Sequence, residues 1–199
     1  MANKLWDKGF KEDERIDAFT VGNDRELDHE LAPYDIMGTM AHITMLESVG
    51  LLSKEDLDKL LPVLKELYSS ACKGELYVEE DVEDIHSQIE LMLTRRLGDV
   101  GKKVHTGRSR NDQVLVDLKL YARAEIENTV HKVESLFNTL QEASERYKDV
   151  LIPGYTHLQV AMPSSFGLWF GAYAESLCDD LSIMKAVWDV VNLNPLGSA

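Results

Sequence analysis

The chain has 199 residues, with 21 Lys and Arg against 35 Asp and Glu, and its formal charge of −14 argues against nucleic acid or anionic lipid as a partner. Its 44% apolar content is enough to build a core, which excludes wholesale disorder. No run approaches the ~18 apolar residues of a membrane span, and the opening decapeptide sets charges where a secretory signal has its apolar stretch, so a soluble, cytoplasmic protein is expected. Cys72 and Cys178 match no metal or redox spacing and read as reduced thiols.

Helical periodicity dominates, and convincing period-2 strand patterns are absent, so the expected fold class is all-α. From Leu31 to Val49 the residues Ile36, Met40, Ile43 and Val49 recur near helical spacing, and Gly50 supplies a left-handed stop. Ser53-Lys-Glu-Asp56 reads as an N-cap followed by acidic residues, opening a helix with Leu57, Leu60, Leu61, Leu64 and Leu67 on its inner face and Gly74 at its end. An acidic connector, Glu79 to Asp84, leads into an amphipathic helix through Ile85, Ile89, Met92, Leu93 and Leu97, closed by Gly98. Between Gly107 and Pro153 lie 45 residues without Gly or Pro, with apolar positions three or four apart. This predicts one helix of ~36 residues, about 54 Å long, typical of an elongated bundle. A loop from Ile152 to Pro163 then joins a second long helix, from about Ser164 to Asn192, whose Gly167, Gly171 and Ala174 admit a close helix neighbour.

The expected organisation is therefore an N-terminal helical domain, residues 1–105, followed by the first part of a long-helix bundle, residues 106–199. Two long antiparallel helices are half of a four-helix bundle, and each keeps an apolar stripe that the other cannot cover. Further chain or identical subunits must cover it, and the conflict between length and pattern reads as a fragment.

Three clusters are candidates for chemistry. His105-Thr-Gly-Arg-Ser-Arg-Asn-Asp-Gln113 enters the long helix with free N–H groups, and Arg108 and Arg110 offer forks for a carboxylate or phosphate. The competing reading is a well-capped helix start with solvated arginines. Gly154-Tyr-Thr-His-Leu-Gln159 places His157 in a Gly/Pro-bounded loop between helices, where a titrating imidazole reaches a substrate. Thr156 and Gln159 there either hold a ligand or satisfy loop backbone groups. Asp84-Ile-His86 opens a helix, so His86 is either a ligand contact or an exposed residue behind a capping Asp84. His29, His42 and His131 follow no metal-ligand spacing, no phosphate-loop or dinucleotide fingerprint is present, and neither metal nor cofactor is expected.

Taken together, Lys4-Leu-Trp6, Glu83-Asp-Ile-His86, the nine-residue arginine motif, Pro153-Gly-Tyr-Thr-His-Leu-Gln159 and Asn194-Pro-Leu-Gly-Ser198 resemble the argininosuccinate lyases of the aspartase/fumarase superfamily. The resemblance runs end to end and looks like the N-terminal portion only, since the family is roughly twice this long. It implies reversible β-elimination of argininosuccinate to arginine and fumarate, in arginine biosynthesis. It also implies active sites shared between subunits of a homotetramer, with a small-molecule substrate. By similarity His157 is one half of the acid/base pair. Asn111, Thr156 and Arg110 are substrate contacts, and Ser109, Arg108, His86 and Gln159 are further candidates. Two departures accompany it. The family's early Phe-Asn-x-Ser serine has no clear counterpart in Phe19-Thr-Val-Gly-Asn-Asp24, and the loop with the catalytic serine falls after residue 199, so this chain alone is expected to be inactive. A sibling fumarate-releasing lyase, and a non-catalytic helical assembly protein on a lyase scaffold, are the alternatives.

Overall fold

The computed structural model describes residues 14–197, so Lys4, Leu5, Trp6 and Ser198 lie outside the described residues. It is mostly helical, as the periodicity predicts, and forms two compact units: Met1–Tyr121 with Asn194–Ala199, and Ala122–Leu193.

In the first unit, α1 (Glu14–Val21) and α2 (Asp24–Leu27) precede a 3-10 turn, Asp28–Glu30. Three longer helices follow: α3 (Ala32–Ser48), α4 (Lys54–Cys72) and α5 (Ile85–Leu97). Ser53 caps α4, its hydroxyl accepting the Asp56 N–H at 3.1 Å, and the next apolar stripe packs as the sequence predicts. Leu57, Leu60, Leu64 and Leu67 are buried against Ile36, Ile43 and Leu46 of α3 and Ile85, Ile89 and Leu93 of α5, while Leu61 is only partly covered. A short α6 (Asp99–Lys102) and the 3-10 turn Lys103–His105 lead into α7 (Arg110–Arg146). This helix of 37 residues continues into the second unit.

In the second unit, the far part of α7 is followed by β1 (Leu151–Thr156), β2 (Gln159–Ser165) and α8 (Phe166–Val191). The predicted loop from Ile152 to Pro163 is in fact an antiparallel hairpin in which Leu151 faces Ser165 and Thr156 faces Gln159, with an irregularity between Pro153 and Tyr155. Sequence reading missed it for a physical reason. Period-2 alternation marks a strand with one buried face, and in this ribbon only Ser165, at its end, is buried. Pro153 and Pro163 are tolerated because a two-stranded ribbon leaves an outer edge on each strand.

The helices α7 and α8 run antiparallel, with the Arg123 guanidinium 5.2 Å from the centre of the Trp188 ring and Tyr147 beside Phe170. The start of α8 packs tightly at Gly167, where an added Cβ would lie 2.6 Å from Lys148 Cα and 2.9 Å from the Ser144 carbonyl oxygen. Ser144 Oγ donates to the Gly167 carbonyl at 2.8 Å, and Ala174 is buried, so the small-residue stripe serves helix packing. The rest of α8 is largely uncovered within this chain: Leu168, Trp169, Tyr173, Ile183, Val187 and Val190 are all exposed. Among the described residues no helix is long and apolar enough to cross a membrane.

Candidate functional site

Helices α3, α5 and the start of α7 meet at a cluster of polar side chains in the first unit. Asp35 and Thr39 occupy the inner stripe of α3 beside Ile36 and Ile43, and both are buried. On α5, Asp84 is the N-cap, its carboxylate accepting the Ser87 N–H at 2.7 Å, which sets His86 in the first turn of the helix. His86 is 5% exposed, so the reading of an exposed histidine behind a cap is corrected: α3 and α7 cover it. Gly107, with φ 63, turns the chain before α7, and Ser109 Oγ accepts the Asn111 N–H at 3.3 Å, a cap on the first turn.

The arginines of the motif are not solvated. Arg110 Nη1 donates to both carboxylate oxygens of Asp84, at 2.7 and 2.6 Å, and touches Ser87 Oγ. Arg108 donates from Nη2 to Thr39 Oγ1 at 3.2 Å, while its buried Nε meets no acceptor among the described residues. A small pocket opens here, lined by Asp35, Thr39, His86, Glu90, His105, Arg108, Arg110 and Gln113. Burial, followed by the charges of Arg108 and Arg110, holds the His105 imidazole below its ordinary pKa. His42, which hydrogen-bonds the Thr106 carbonyl at 2.8 Å, is also pushed down, first by burial and then by Arg108. Both rings are neutral at pH 7 and add no charge to the site.

Behind the pocket wall, Asp35 Oδ1 accepts from His86 Nδ1 at 3.0 Å and from the Gln113 amide. Burial works to raise the Asp35 pKa, but the hydrogen bond and charge of His86, the Gln113 amide and Arg108 outweigh it and hold the group below its ordinary value. An ionised Asp35 is acceptor-only, so His86 carries a hydrogen on Nδ1. Asp117, fully buried on α7, lies 3.5 Å from His86 Nδ1. Burial, reinforced by the Asp35 charge, pushes its carboxyl up to about 9. Asp35, His86 and Asp117 each offer an atom within 4.8 Å of the others, a spacing that a divalent ion could use. A cation is the poorer fit, because His86 turns its Nδ1 hydrogen toward Asp35 and Arg108 acts on both carboxyl groups.

The other motif lies in the second unit. Thr156 and Gln159 are Cα partners at the end of the hairpin, so the connection is the two-residue turn His157–Leu158. Both residues have positive φ, 46 and 63, the conformation of the tight turns that favour Asn-Gly. Thr156, His157 and Gln159 are all exposed at this tip, and Leu158 is 98% exposed. Backbone held in the left-handed region without glycine is a mark of sites where position matters.

The predicted site residues thus fall into two groups. His86, Arg108 and Arg110 line one pocket, with Ser109 capping α7 beside them and Asn111 exposed on the first turn. Thr156, His157 and Gln159 share the hairpin tip. Asp35, Thr39, Glu90 and Asp117 escaped sequence reading. A signal was present: Asp35 and Thr39, four apart, interrupt an otherwise apolar stripe of α3, and Gln113 and Asp117 are four apart on α7. A polar residue at a core position is the feature to follow.

A family model described as "Lyase" matches residues 8–199. Argininosuccinate lyase of Parabacteroides distasonis is 64% identical over 199 residues, spanning 100% of this chain and 45% of the relative. The enzyme of the same name from Phocaeicola vulgatus is 63% identical over the same span and share. The chain therefore spans about 45% of the length of these curated relatives. Among solved structures, an EDDS lyase variant with bound fumarate has a TM-score of 0.73 at 26% identity, over 96% of this chain and 38% of that one.

Proposed function

This chain belongs to the lyase family, and from that membership we propose that it is the N-terminal part of an argininosuccinate lyase, a carbon–nitrogen lyase of the cytoplasm acting in arginine biosynthesis. Residues 1–105 form its N-terminal helical domain and residues 106–199 begin its central bundle. The reaction removes a proton from the carbon next to a substrate carboxylate and breaks the bond between the neighbouring carbon and a guanidinium nitrogen. That nitrogen takes up a proton and leaves as arginine, and the carbon skeleton leaves as fumarate. Such chemistry asks for a base, an acid and a cradle for carboxylate charge, with no cofactor.

The observation that carries this reading is the arginine pocket in a chain of charge −14: Arg108 holds a buried Nε with no acceptor among the described residues, where a substrate carboxylate would supply one. Arg110, Ser109, Asn111 and His86 belong to the same binding group. His157 is one of the two proton-transfer groups, with Thr156 and Gln159 as substrate contacts, and its turn supports the role by fixing the backbone in a strained, defined geometry. The exposed apolar face of α8 supports self-association, as a homotetramer whose sites form where subunits meet.

The test is made in the full-length protein, following fumarate release by ultraviolet absorbance. His157→Asn lowers kcat by roughly 10²–10⁴-fold with an unchanged melting temperature. Unaltered turnover, or loss that tracks unfolding, overturns the assignment. Calorimetric titration with argininosuccinate separates an enzyme from a purely structural protein on the same scaffold, which would give no heat.

A further inference from the structure

Three buried oxygens in the first unit need an explanation: Oδ2 of Asp35 and both carboxylate oxygens of Asp117 have no hydrogen-bond partner among the described residues. Both side chains are fully enclosed, and two carboxylates ionised this close together repel each other with no water to screen them. We propose that Asp117 is a neutral carboxylic acid at physiological pH, that it donates its proton to Asp35, and that this shared proton is what lets Asp35 position His86 in the pocket wall.

One proton removes the conflict. Asp117 becomes a donor, Asp35 Oδ2 gains a partner, and the pair carries a single negative charge, matched by the Arg108 guanidinium that acts on both. The other oxygen of Asp35 stays free to accept from His86 and Gln113, which holds the His86 ring through its Nδ1 hydrogen. The upward push that burial and Asp35 give the Asp117 carboxyl points the same way. The groups facing the pair are His86 on α5, Arg108 and His105 ahead of α7, and Asp28 in the 3-10 turn, with Glu90 of α5 acting on Arg108. Asp28 adds to the negative charge around Asp117, and its carboxylate is engaged elsewhere, accepting the Ile85 N–H at 3.2 Å. Loss of the proton at alkaline pH would set α3 and the first turns of α7 against each other at the point where Arg108 is held. This proton is independent of which guest the pocket takes.

The experiment is a carbon NMR titration of the 199-residue chain labelled at aspartate Cγ, with Asp117 assigned through bonds so that no variant is needed. At pH 7 its Cγ resonates as a carboxylic acid and moves only above about pH 8, while nitrogen spectra show a hydrogen held on His86 Nδ1. In Asp35→Asn the midpoint of Asp117 falls by more than one pH unit and the hydrogen on His86 Nδ1 is no longer held. A midpoint near that of an ordinary aspartate overturns the proposal, as does an Asp117 midpoint indifferent to Asp35→Asn. An ionised Asp117 whose resonance shifts stoichiometrically with added Zn²⁺ overturns it in favour of a cation site.

Discussion

Asp117→Asn replaces a neutral acid with a neutral amide of the same shape, so it separates the proton from the packing. The folded Asp117 carboxyl titrates at about 9, against 3.8 for the free side chain, so between these values the folded chain holds a proton that the unfolded chain has released. Because the folded pKa is raised, the stabilising contribution is fully present below about pH 4 and is lost as pH rises toward 9. The slope for one proton is about 1.4 kcal/mol per pH unit, so between pH 5 and 8 the wild-type chain loses about 4 kcal/mol through this group alone. The asparagine variant has no such proton. Urea denaturation of both chains across this range gives two stability curves, and their difference isolates Asp117 from all other titrations. The wild-type curve should fall relative to the variant's by about 1.4 kcal/mol for each pH unit. Parallel curves would refute the reasoning, because they would mean that Asp117 ionises alike in the folded and unfolded states.

Two further perturbations probe the second unit. Gly167→Ala puts a methyl group against the Lys148 and Ser144 backbone and costs about 1–3 kcal/mol in urea denaturation, whereas Gly171→Ala, whose nearest neighbour is Ser144 Oγ at 3.6 Å, is neutral or stabilises by up to ~1 kcal/mol. If both variants lose the same amount, the close approach at Gly167 is not real. Leu158→Gly removes no packing, because the side chain is 98% exposed, and relieves a left-handed backbone, so it stabilises by about 0.5–1 kcal/mol. Leu158→Val, β-branched, destabilises. Melting temperatures that do not follow the order Gly, Leu, Val contradict the assigned turn.

Much of the fold was legible along the chain because helices are local. Ser53 as a cap, the Leu57 to Leu67 stripe, the helical reach from Gly107 toward Pro153 and the small face of α8 all depend on residues within a turn or two of each other. The arginine and histidine motifs were likewise visible as strings of residue types. What no string contained was the pairing across elements. Asp35 and Asp117 are 82 positions apart, and their shared environment exists only because α3, α5 and α7 exclude water around them. The fate of Arg110, bound to Asp84, and the burial of His86 are consequences of the same packing. The hairpin at Leu151–Ser165 is decided by ladder bonds between strands with no buried face, so no hydropathy pattern announces it. Sequence set the local geometry and the residue types here. Desolvation, which depends on what surrounds a group in space, set their charge states and their partners.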